Sequence, residues 1–152
     1  MTRVLCWIAG IYAAWLGMMV LHEGGHVLNA CLSGGTVERV RVPLVGFSQT
    51  IYTSNPRPAF VAWGGPAWGS LVPLVGMIGA SRARLNVRRA AQFFAGFCLV
   101  ANGAYLGIGW TMPAGDAADL LRHGTPVAAL ILFGVSACSA GLYVWHRMGL
   151  RP

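Results

Sequence analysis

The chain has no lysine and only four acidic residues. Charged residues make up 10% of it, against the roughly 25% usual in soluble domains. That scarcity excludes an ordinary solvated surface. The formal charge of +7 comes entirely from arginine. Nucleic-acid binding is rejected as its cause, because the arginines stand in short patches between apolar stretches, where they anchor topology and meet lipid headgroups. No two cysteines are spaced C-x-x-C. Cys6, Cys31, Cys98 and Cys138 lie in or beside apolar runs and read as buried small apolar residues, not as a disulfide frame or thiolate zinc site. The N-terminal apolar run is not followed by a small-x-small cleavage site bounded by polar sequence. It reads as a retained membrane helix rather than a signal peptide.

What is abundant points the same way. Hydrophobic residues reach 56%, with 21 glycines and six tryptophans, as in an integral membrane protein. Four apolar spans are expected, at about 4–32, 59–80, 90–115 and 125–145. The expected fold is an all-α integral membrane bundle of about four transmembrane helices, with a short membrane-surface β-hairpin after the first. It forms a single membrane-embedded domain over 1–152.

Residues 36–52 alternate partly with period two, interrupted by Pro43 and Gly46, and predict a hairpin or extended loop. Exposed sheet edges are forbidden in hydrocarbon, so this segment must lie at the interface or against protein. Its edge could hold an extended peptide by backbone hydrogen bonds. In the second span, Gly65 and Gly69 form a G-x-x-x-G step for close helix approach, and Pro66 kinks or begins the helix. Arg82, Arg84, Arg88 and Arg89 mark a basic interhelical loop at 81–89. Asn102 to Gly107 offers another small-residue packing face. Met112-Pro113-Ala114-Gly115 breaks the third helix, and a short new helix begins in 116–123.

The first span ends in His22-Glu23-Gly24-Gly25-His26. On a helix, His22 and His26 lie one turn apart on one face and reach the same ion, with Glu23 beside them to take a proton from water. Three ionisable groups at the deep end of an apolar helix are costly unless they have a task. A catalytic zinc needs a third protein ligand. The candidates are Asp116, Asp119, His123, His146 and Glu38. In a four-span chain the first and third helices run parallel, so their C-terminal ends share a membrane side. Asp116, at the end of the third, is therefore preferred. Asp119 and His123 sit further into the connection, and His146 lies on the opposite side.

Taken together, the chain resembles the intramembrane zinc metalloproteases of the site-2-protease type, peptidase family M50. Three features carry the resemblance: His22-Glu23-Gly24-Gly25-His26, Trp63-Gly64-Gly65-Pro66-Ala67-Trp68-Gly69, and Asn102 with Gly115-Asp116-Ala117-Ala118-Asp119. The resemblance implies Zn2+ held by His22, His26 and Asp116. It implies Glu23 and Asn102 as catalytic residues, with Asn102 a polar group near substrate or transition state. The expected partners are the lipid bilayer and a membrane-protein or peptide substrate that the hairpin engages, in a prokaryotic plasma membrane. The expected reaction is hydrolysis of a peptide bond in or near a transmembrane segment. A non-proteolytic zinc-binding escort and a lipid-directed zinc hydrolase stay as alternatives. Arginine bias places both termini in the cytoplasm and the metal site towards the outer side, whereas the resemblance implies a site towards the cytosol.

Overall fold

The computed structural model describes residues 2–112 and 114–149. Pro113 and Arg151, which entered the helix-break and charge-bias readings, lie outside the described residues. The order is α1 (Thr2–Leu32), β1 (Thr36–Arg41), β2 (Gln49–Ser54), α2 (Pro58–Gly79), a 3₁₀ turn (Ala80–Arg82), α3 (Leu85–Gly109), α4 (Asp116–Arg122) and α5 (Val127–Arg147). The four long helices are each apolar and long enough to cross a membrane. This is the expected bundle and hairpin.

Local sequence sets the boundaries. Gly34, at φ 78°, ends α1 in a left-handed cap, and Gly35 N–H returns to the Ala30 carbonyl at 2.8 Å. Pro58 opens α2, where its missing N–H costs nothing. Pro66 does not begin that helix. It lies inside α2, buried, as does Pro73, and leaves the Ala62 carbonyl without its helical donor. The basic loop is shorter than expected. Arg88 and Arg89 belong to the start of α3, since arginine is a good helix former whose head reaches water from a helix end.

α1 packs on α2, α2 on α3, and α3 on α5. Glycines govern two of these contacts. A Cβ on Gly25 would clash with the Gly64 carbonyl, and one on Gly64 would clash with that of Gly25, so α1 and α2 cross backbone to backbone. Gly103 and Gly107 of α3 meet Ala137, Cys138 and Gly134 of α5 in the same way. The Gly65/Gly69 step behaves differently. Gly65 faces the imidazoles of His22 and His26, and Gly69 faces the Asn102 amide. These glycines make room for polar side chains, not for a helix backbone.

Two apolar clusters hold the frame. Met18 and Met19 of α1 meet Cys98 of α3. Ala62, Leu106 and Leu130 of three long helices close on Ala117 and Leu120 of α4. Cys98 is buried and Cys138 half-buried, but Cys6 and Cys31 are exposed, a correction to the reading of all four as buried. α1 buries only the side that faces its neighbours and leaves the rest to lipid.

The hairpin pairs β1 and β2 antiparallel, with Val40 opposite Thr50 and an irregularity around Glu38. Its tip does not rest at the metal end of α1. Tyr12 Oη donates to the Leu44 carbonyl at 2.8 Å, and Trp15 meets Phe47 edge-on at 6.2 Å. Ten residues of helix separate Tyr12 from His22, about 15 Å at 1.5 Å per residue. The tip therefore folds back beside the membrane span, with Leu44, Val45 and Phe47 pointing outward at 70%, 88% and 80% exposure.

Candidate metal centre

Helix geometry puts His22 and His26 on one face of α1, both buried, with Glu23 3% exposed beside them. Their ligand-capable atoms all lie within 4.8 Å of one another. α1 and α3 run parallel, as His22 beside Asn102 and Gly17 beside Phe94 show. The chain leaving α3 therefore turns at Gly115, φ 82°, on the same side as the histidines. Ala117 and Leu120 plug α4 into the bundle, and the Tyr105 hydroxyl accepts the Asp116 N–H at 3.2 Å. Asp116 is thereby aimed at both imidazoles.

The histidine tautomers follow from their partners. His26 Nδ1 faces the Val61 carbonyl at 2.8 Å, which can only accept, so Nδ1 carries the proton. Asn102 Nδ2 donates to the Cys98 carbonyl at 2.9 Å, which turns Oδ1 towards His22 Nδ1 at 2.7 Å. His22 Nδ1 is protonated for the same reason. Both Nε2 lone pairs then point inward, 3.2 Å apart. Asp116 Oδ2 lies 2.9 Å from His22 Nε2, and Oδ1 lies 3.3 Å from His26 Nε2.

Two imidazole nitrogens and a carboxylate brought this close suit a cation between them. Donors around a tetrahedral zinc, each about 2.0–2.2 Å from the ion, stand roughly 3.3 Å apart. The observed separations match that spacing, and the two-nitrogen, one-carboxylate set is that of catalytic zinc sites. Gly65 supplies a second indication. A Cβ there would lie 2.4 Å from His26 Nε2 and 2.6 Å from His22 Nε2, so the missing side chain leaves the space next to both donors open. The residues fit the metal.

The other candidate ligands are engaged elsewhere. Asp119 lines the outer cavity and pairs with Arg122 at 2.7 Å. His123 Nδ1 contacts the Asp119 carbonyl at 2.7 Å on the exposed side of α4. Glu38 is exposed beside Arg39, and His146 is exposed at the far end of α5. Asn102 is 1% exposed, and both ends of its amide are taken by His22 and Cys98.

A cavity of about 220 Å³ opens beside the donors. Its lining includes residues that sequence reasoning did not single out: Thr50, Tyr52 and Asn55 from the hairpin side, and Tyr105 from α3. Tyr105 lies one turn beyond Asn102 on the same helical face, a signal that was available. Thr50 and Tyr52 share one face of β2, which becomes informative only once that face is known to meet α1. Asn29, one turn past His26, is bonded to the Phe60 carbonyl and to Trp68, and so fixes α2 against the site.

A protein-family model described as Peptidase M50B-like matches residues 2–115. It stops one residue before Asp116. No curated protein and no solved structure gives a match.

Proposed function

As the chain belongs to the Peptidase M50B-like family, we propose that it is an intramembrane zinc metalloprotease that hydrolyses a peptide bond in or near a transmembrane segment of another protein. His22, His26 and Asp116 hold the metal. The observation that carries this reading is the convergence of these three donor groups beside a cavity that Glu23 also lines. The wall of that opening is largely polar, which favours a peptide over a lipid acyl chain.

Zinc, when bound, supplies Lewis-acid activation of water and of the peptide carbonyl. Glu23 takes the proton of the attacking water and later hands it to the leaving amine. Val61 and Asn102 hold the two imidazoles by their Nδ1–H groups, which keeps Nε2 free. Asn102 thus works through His22. With its amide committed in both directions, it is a positioning residue in this reading, not a donor to the oxyanion. A substrate helix must unwind to present a carbonyl here, because its amides are otherwise hydrogen-bonded and shielded.

Zinc content and peptide hydrolysis of the detergent-purified protein test the assignment. The parent should hold one zinc per chain, and Asp116→Ala much less. Glu23→Gln should keep its zinc and lose about 100-fold or more in rate. Equal zinc in the parent and Asp116→Ala would remove Asp116 from the ligand set. Retained hydrolysis in Glu23→Gln would remove Glu23 as the base.

A further inference from the structure

Glu23 needs more than proximity to act as a base. Its carboxylate sits on a flexible side chain, and an unheld carboxylate samples several rotamers. Among the described residues, no hydrogen bond to it comes from α1. The hydrogen bond to Glu23 comes from another element: Thr50 Oγ1 of β2 donates to Glu23 Oε2 at 2.5 Å. Thr50 lines the cavity along with Tyr52, two residues on and on the same face of the strand. Tyr52 lines the same cavity, and burial keeps its phenol protonated well above the usual range. β2 therefore presents the Thr50 hydroxyl to the buried carboxylate.

We propose that Thr50 is the positioning residue of the general base: its hydroxyl holds Oε2 and leaves Oε1 to receive the proton of the attacking water. The hairpin is then part of the catalytic centre and not only a support for substrate. This rests on Glu23 being the base. It also explains why the strand comes so close to α1 at this point. A hydroxyl is the smallest group that donates to a carboxylate without adding charge beside the metal ligands.

Two glutamates occur in the chain, Glu23 and Glu38, which makes a direct test practical. In zinc-loaded protein carrying 13C-labelled glutamate, Glu38→Gln identifies the side-chain carboxyl signal of Glu23. Thr50→Val, which keeps shape and strand propensity, should move that signal, and Thr50→Ser should not. With fluorescent β-casein as the probe, Thr50→Val should lower kcat about 10- to 100-fold at unchanged KM and zinc content, and Thr50→Ser should retain the parental value. An unmoved Glu23 signal with parental kcat in Thr50→Val overturns the proposal. Loss of zinc in that variant overturns it too, since Thr50 would then support the metal site and not the base. Should Glu23→Gln cleave β-casein like the parent, the general-base reading falls. The carboxyl signal still decides on its own whether Thr50 holds Glu23.

Discussion

The hydrogen of Gly65 faces the two Nε2 atoms, and any larger group there competes with the ion for the same space. Gly65→Ala should therefore lower zinc content far below one per chain. The added methyl also overpacks the crossing, at about 1–3 kcal/mol, so thermal unfolding should be followed alongside. Full zinc occupancy in a folded Gly65→Ala protein would place the ion elsewhere. Several of these residues were readable from the chain alone. His22, Glu23 and His26 declare themselves by spacing within an uncharged helix, and Asp116 follows from helix direction. Gly65 was readable only as a packing glycine, because nothing in G-x-x-x-G says whether the neighbour is a backbone or an imidazole. Asn102 was placed at the centre, but the direction of its amide depends on the Cys98 carbonyl, which no motif encodes.

At the scale of elements, the hairpin differs most from its sequence reading. Partial alternation in 36–42 and the turn residues Pro43 and Gly46 were enough to expect strands. Its depth was not legible, since it is set by Tyr12 and Trp15, two residues of α1 that look like ordinary interfacial aromatics. With the tip folded back along α1, a cysteine at Val45 should be shielded by lipid, whereas one at exposed Ser54 should be open to water. In a background without native cysteines, a membrane-impermeant maleimide applied to opened membranes should label Ser54→Cys and spare Val45→Cys. Equal labelling would put the tip in water. α4 was expected as a short helix, and its reach into the bundle through Ala117 and Leu120 explains why seven residues suffice to aim Asp116 at the imidazoles.

For the molecule as a whole, the four spans put the 82–89 arginines on the side opposite the metal centre. α1 carries its histidines near its C-terminal end, while those arginines sit where α2 ends and α3 starts. The arginine bias predicts that this second side is cytoplasmic. In intact cells the impermeant reagent should then label a cysteine at His123, beside the metal centre, and not one at Arg84. The reverse pattern would show that the metal end faces the cytosol and that the bias is overridden. The span count and the parallel run of α1 and α3 were legible because long uncharged runs have few other solutions. The orientation of the whole was not, because four acids and eleven arginines give a statistical pull, not a contact.

The contact between Gly103, Gly107 and Gly134 has a further consequence for how the centre responds to stress. Backbones that touch have no rotamers to exchange, so this seam between α3 and α5 has little room to loosen, and Asn102, which holds His22, stands on α3 beside it. The partner of Glu23 belongs to a two-stranded ribbon, an architecture only marginally stable by itself. The grip on the ion and the readiness to react thus reside in materials of different compliance. Warming or a thinner bilayer should silence turnover while the metal stays in place, and cooling should restore it without reloading.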